Sequence, residues 1–166
     1  LEALPGRIGL ILQNPDTQLL CPDVGSELAF GLENLLVPPA EMTGRMRQAM
    51  ARVGLDAAET PLDRPVGTLS VGQKYKLLLA SMLVMDPAVL LLDEPCAQLD
   101  QPGIEALDAF LGHFLAAGGS VVLCEHAQVH WACARASSPG YREYRPVDAV
   151  AVVVGPGEAV IRSGGR

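Results

Sequence analysis

An α/β fold with a helical insertion is what the sequence predicts, and three observations carry it. Short apolar runs at 7–12, 88–92 and 120–124 end in turn residues or charge, as strands do. A stretch of helical periodicity from 24 to 85 separates the first run from the second. The second run, AVLLL, stops abruptly on Asp93, Glu94 and Pro95. Strands bracketing helices build a sheet, and consecutive helices between two strands read as an insertion into it.

Each element follows from local chemistry. The strand Arg7 to Leu12 ends at Gln13-Asn14-Pro15-Asp16, because a residue before proline is pushed out of helical geometry and Asn and Asp favour turns. Residues 23–36, DVGSELAFGLENLL, place Leu28, Leu32, Leu35 and Leu36 at helical spacing, and Pro38-Pro39 closes the segment. A second helix over 40–53 carries a stripe of Met42, Met46, Met50 and Val53, which reads as packing, since methionine fills irregular gaps between helices. A third begins at its N-cap, Ser70, and runs to Met85, where Asp86-Pro87 stops it. After the strand AVLLL, Pro102 opens a helix over 102–117. It has Ile104, Leu107, Phe110, Leu111, Phe114 and Leu115 on one face and Gly118-Gly119 at its end. SVVLC, 120–124, is another strand, and 148–154 with 158–162 form a terminal β pair around Gly155-Pro156-Gly157. The loop at 137–146 carries no assignable chemistry. The organisation is thus 1–20 strand and loop, 21–85 mainly helical, and 86–166 the remaining sheet.

Composition excludes several classes. With 166 residues, 49% of them hydrophobic, the chain can bury a core and fits one domain. Its apolar runs fall short of the roughly 20 residues a membrane span needs. Cys21, Cys96, Cys124 and Cys133 are too sparse for a disulfide scaffold, and no signal-like segment opens the chain, which points to a reducing, cytoplasmic setting. A formal charge of -7 argues against general nucleic-acid binding, which requires positive surface.

Two constellations carry chemistry. A buried parallel strand is apolar on both faces, and ligands in open α/β sheets bind beyond the carboxyl ends of strands. Asp93 and Glu94 sit at such an end. Adjacent residues point in different directions, so one carboxylate can hold a divalent cation while the other orients a water, the division of labour of phosphoanhydride hydrolysis. The bland reading is a strand terminus meeting solvent. The second constellation is LSVGQK, 69–74, where Gly72 just after the Ser70 cap leaves amides and a hydroxyl at the positive end of a helix, suited to phosphate. Its bland reading is a cap alone. Two weaker patterns compete. Cys124, His126, His130 and Cys133 contain zinc-type ligands, but Cys124 ends a strand and the spacing is not that of a zinc knuckle. Cys96 as a nucleophile would face two carboxylates that raise its pKa. His113 reads as a helix-surface residue.

These residues resemble the ATP-binding subunits of ABC transporters. VLLLDEP, 89–95, is similar to a Walker B strand with its catalytic glutamate, and LSVGQ, 69–73, to the signature LSGGQ with Val71 in place of a glycine. Gln13 in ILQNPDTQLL resembles the Q-loop glutamine, Gln98-Leu99-Asp100 the D-loop, and His126 the switch histidine. The string QNPDTQLLCPDVGSELAFGLENL is similar to energy-coupling-factor and cobalt/nickel-type importer ATPases, and the likeness runs from about residue 7 to 131. The resemblance implies catalytic roles for Glu94, His126 and Gln13, nucleotide contacts from Ser70, Gly72, Gln73 and Asp100, and a metal held by Asp93 and Gln13. It further implies ATP and Mg²⁺ as cofactors and a second ATPase subunit bound head to tail. Transmembrane subunits would dock near residues 13–55, where Gln18, Glu27 and Glu33 would report the contact, and the subunit would sit peripherally on the inner face of the membrane. The solute would be a metal ion or vitamin-like compound.

One part of the pattern is not in these 166 residues. A Walker A, G-x-x-x-x-G-K-[ST], cradles phosphates on backbone amides, and the nearest string, Gly67 to Lys74, has Gln73 where lysine belongs. The expectation is an incomplete P-loop NTPase sheet with an inserted helical subdomain. Its N-terminal segment is missing, and the isolated chain does not bind ATP in the ordinary way. An apolar sheet face or edge should then be left open. Tyr75-Lys76, Cys96 and Glu125 also depart from the residues usual at those places, which bears on signature and switch geometry. The alternative function is a noncatalytic structural or interaction fragment of a degenerate ATPase.

Overall fold

The computed structural model describes residues 7–125, 150–155 and 158–163. Elements follow the order β1 (Ile8–Ile11), α1 (Val24–Asn34), α2 (Pro39–Arg52), α3 (Val71–Leu83), β2 (Val89–Asp93), α4 (Gln101–Ala116), β3 (Ser120–Glu125), β4 (Val150–Gly155) and β5 (Glu158–Ser163). Short 3₁₀ turns at Pro15–Thr17 and Val66–Thr68 punctuate the loops. Two compact units result: Leu1–Gly9 with Asn14–Pro87, and Leu10–Gln13 with Ala88–Arg166.

The first unit is helical. Its core comes from one stripe of each helix: Val24, Leu28 and Leu32 of α1, Met46, Ala49 and Met50 of α2, and Leu77, Leu78 and Ala80 of α3 are all buried. The methionine stripe is core, with Met42 half-buried at its outer end. Apolar residues recurring at three- and four-residue intervals meet on one helix face, which is why α1 and α2 both pack on α3. Leu36 corrects the expectation for 23–36. The helix ends at Asn34, and Leu36 adopts φ +56° with 88% of its surface exposed, so it belongs to the connection to α2. Pro39 opens that next helix rather than only closing the first, since proline fits the first turn of a helix.

The second unit is a sheet of order β1-β2-β3-β4-β5 among the described residues. β2 and β3 run parallel, with Val89 opposite Ser120 and Asp93 opposite Cys124. β4 pairs antiparallel with β3 and with β5, from Val150 opposite Ser163 to Gly155 opposite Glu158. Alternation assigns the two faces. Ile11, Leu90, Leu92, Val121 and Leu123 are buried, on the side where α4 packs with Leu107, Phe110, Leu111, Phe114 and Leu115. On the opposite face Leu10 and Leu12 are 44% and 38% exposed, and Val89, Leu91 and Val122 are half-buried. Parallel sheets are ordinarily covered on both sides. Gly118, at φ +92°, turns the chain from α4 into β3. Gly119 lies against the Phe114 ring so closely that any side chain there would overlap it.

Candidate functional site

The sheet unit places Gln13 just after β1, Asp93 and Glu94 at the carboxyl end of β2, and Asp100 at the start of α4. Gln13 follows β1, and the turn after it is locked locally: the Asn14 side chain accepts from the Asp16 amide at 3.0 Å, and Thr17 Oγ1 donates to the Asn14 carbonyl at 2.7 Å. Asp93 is the last residue of β2 and is exposed. Glu94 then leaves the strand at φ +44°, in the left-handed region, while its backbone N–H still donates to the Cys124 carbonyl of β3 at 2.9 Å. A left-handed non-glycine residue costs roughly 1–2 kcal/mol, and such positions cluster at functional sites. Here the turn swings the Glu94 side chain toward β1, where Gln13 Nε2 donates to Glu94 Oε2 at 2.6 Å. The contact joins two residues 81 positions apart.

Asp100 is the N-cap of α4, its carboxylate accepting from the Gly103 amide at 2.9 Å. That role accounts for its presence without a ligand. Cys96 is buried in the turn between Glu94 and α4, which suits packing. Magnesium is bound in proteins through one or two carboxylates together with substrate phosphates and water, rather than in an all-protein cage. The donor set fits that habit. Asp93 offers an exposed carboxylate, Gln13 retains its amide oxygen while its nitrogen is engaged, and no cluster of three or more His, Cys, Asp or Glu able to hold a metal occurs among the described residues.

The helical unit holds Ser70, Gly72 and Gln73 at the start of α3. Ser70 Oγ accepts from the Gln73 amide at 3.2 Å and Gln73 Oε1 accepts from the Ser70 amide at 3.0 Å, a complete capping box. Gly72 is different. A side chain added there would meet nothing within 4 Å, so nothing in the surrounding structure requires glycine at this position. Lys74, one residue beyond the box, pairs with Asp16 at 2.6 Å, which ties the loop after Gln13 to α3 within the same unit.

Sequence reasoning missed Glu27. Expected to be accessible, it is only 6% exposed, and its carboxylate accepts from the Leu20 and Cys21 amides at 2.9 and 2.8 Å. A charged residue buries only when its lone pairs are used, and these amides use them. Burial, then the Glu27 charge and its hydrogen bond, push the neighbouring Cys21 thiol above its ordinary value. A groove lined by Cys21, Asp23, Ser26, Phe30, Glu33 and Leu62 runs along the same edge of α1. His126 lies outside the described residues, as do His130, Cys133 and the 137–146 loop.

Residues 1–97 match the family described as ABC transporter. The chain belongs to that family. Among curated ABC relatives, the nickel import ATP-binding protein NikO of Rhodobacter capsulatus is 45% identical over 63% of this chain and 40% of its own length. The energy-coupling factor transporter ATP-binding protein EcfA2 of Symbiobacterium thermophilum is 40% identical over 73% and 41%. The structure of cbiO1 from Clostridium perfringens, part of the ABC transporter complex cbiONQ, superposes with a TM-score of 0.59 at 30% identity, covering 71% of this chain and 53% of that one. The chain spans less than half the length of the curated relatives described. Its architecture is an incomplete P-loop NTPase sheet of the ABC ATPase type with an inserted helical subdomain.

Proposed function

We propose that the chain is the hydrolytic portion of an ATP-binding subunit of an ABC importer, coupling hydrolysis to uptake of a metal ion or vitamin-like solute. One observation carries the reading: Gln13 and Glu94 are joined at the ends of neighbouring strands, with Asp93 beside Glu94. In this assignment Glu94 accepts the proton of the attacking water, and Asp93 with the Gln13 amide oxygen holds the metal. Mg²⁺, when bound with ATP, neutralises charge on the transferring phosphoryl group. His126, from its place after β3, would contact the same phosphate. Asp100 would contribute from the D-loop turn.

Ser70, Gly72 and Gln73 serve in trans, capping the nucleotide held by a second ATPase subunit arranged head to tail. The open space over Gly72 is what such an approach needs. A phosphate-cradling loop comes from a part of the protein outside these residues, and the 166-residue chain alone neither binds ATP tightly nor hydrolyses it. Transmembrane subunits dock on the helical unit along the groove that includes Phe30 and Glu33, which holds the protein at the cytoplasmic side of the membrane. No helix among the described residues is long and apolar enough to cross a membrane itself.

The test is Glu94→Gln in the full-length protein. ATP binding should persist while turnover falls roughly 100-fold or more, the usual scale of a lost general base. Wild-type turnover would remove the assignment, and no ATP binding by the unmodified full-length protein would favour a noncatalytic interaction role.

A further inference from the structure

Lys74 stands where a helix by itself would not put a cation. It follows the capping box at the end of the first turn of α3, and its backbone N–H makes the opening bond of the helix, to the Ser70 carbonyl at 2.8 Å. The N-terminal end of a helix carries partial positive charge, so an ammonium there is disfavoured and a carboxylate favoured. What answers the charge is Asp16, 58 positions away in sequence, whose Oδ1 accepts from Lys74 Nζ at 2.6 Å. The Lys74 side chain is only 16% exposed, so its apolar stem is laid along the protein and not free in solvent.

Asp16 is held from its own side as well. Its amide is bonded to the Asn14 side chain, Pro15 is fully buried, and the Gln18 and Leu19 amides both donate to the Pro15 carbonyl, at 3.1 and 3.0 Å. The turn at 15–17 is thus fixed by its own bonds, and α3 by its capping box. What the ion pair adds is a set placement of one on the other. At the start of α3 the Ser70 and Gln73 side chains are engaged with each other's amides, so this surface meets a phosphate as one body, placed by the helix that carries it.

We infer that Asp16 and Lys74 are positioning residues for the start of α3: their ion pair sets where Ser70, Gly72 and Gln73 are presented to the nucleotide of a second subunit. The inference rests on the proposed role of those three residues in trans. Lys74 adjoins Gln73 in the chain, so a shift of its side chain's anchor passes to the capping box through a single peptide bond.

Lys74→Asp tells placement from helix stability. In the full-length protein it improves the charge at the helix start but sets two carboxylates against each other. A residue that served α3 alone would leave dimerisation unchanged or stronger. A positioning pair requires the dimer formed with a non-hydrolysable ATP analogue, measured by analytical ultracentrifugation, to weaken by at least about two- to fivefold, the scale of a partly exposed ion pair. The double variant Asp16→Lys with Lys74→Asp restores opposite charges and should return to within about twofold of wild type. Lys74→Met, which keeps the apolar stem without the charge, should weaken the dimer, and Lys74→Arg should not. This second pair decides the matter if melting shows that Lys74→Asp fails to fold. Wild-type dimerisation in Lys74→Asp or Lys74→Met, or a double variant no tighter than Lys74→Asp, would overturn the inference. Failure of the trans role itself is recognised separately, by wild-type dimerisation in Gly72→Leu.

Discussion

Gly72 and Ser70 separate what the fold needs from what a ligand would need. Ser70 caps α3, so Ser70→Ala should lower stability by about 0.5–2 kcal/mol in chemical denaturation, whatever else it does. Gly72 sits in the first turn with open space around it, and glycine in a helix is worth roughly 0.5–1 kcal/mol less than alanine. Gly72→Ala should therefore melt at the same temperature as wild type or higher, yet weaken the nucleotide-dependent dimer measured by analytical ultracentrifugation of the full-length protein. Dimerisation unaffected by Gly72→Ala and by a bulkier Gly72→Leu would dismiss this face. Much at this scale was legible. The S-x-x-Q spacing declares the capping box, and an apolar run meeting Asp93-Glu94-Pro95 declares a strand end. The hydrogen bond from Gln13 to Glu94 was not legible, because pairing of strands 81 residues apart is decided by the sheet and not by neighbours in sequence.

At the scale of elements, Glu27 ties α1 to the loop that precedes it. Glu27→Ala strands two amides, each at a cost of about 1–3 kcal/mol if it finds no water, and should loosen residues 19–23 in amide hydrogen exchange. Glu27→Gln keeps an acceptor oxygen and should cost less. It also removes a negative charge beside Cys21, so alkylation of that thiol at mildly alkaline pH should quicken, with part of the restraint remaining because burial is the larger cause. The sign of the pH dependence follows. A thiol whose folded pKa is raised contributes stability below its ordinary value of 9.0 and loses it as pH climbs through the folded value, so this contribution fades only in alkali. Sequence did not disclose this arrangement, since a glutamate between Ser26 and Leu28 looks like a solvated helix position and its partners are backbone groups. Leu36 erred in the opposite direction: its spacing fits the apolar stripe, but α1 has already ended and the left-handed turn carries it outward. The helices themselves were readable because caps and prolines mark their ends.

For the whole molecule, the exposed side of α1 is where a membrane partner would be felt. Glu27 is unsuitable for a cysteine probe because it is buried, whereas Gln18, Phe30 and Glu33 keep accessible surface. With Cys21 replaced by serine, single cysteines at those three positions should cross-link to transmembrane subunits in a nucleotide-dependent manner. Their silence in an assembled, transporting complex would move the interface elsewhere. The 166-residue chain by itself should show no saturable ATP binding at concentrations that saturate the full-length protein, as equilibrium dialysis would establish.

Taken alone, the 166-residue chain presents Leu10 and Leu12 to solvent, the kind of apolar signal that chaperones hold and proteases act on. Expressed by itself it should be cleared faster than the full-length protein, a difference that pulse-chase labelling of the two would measure.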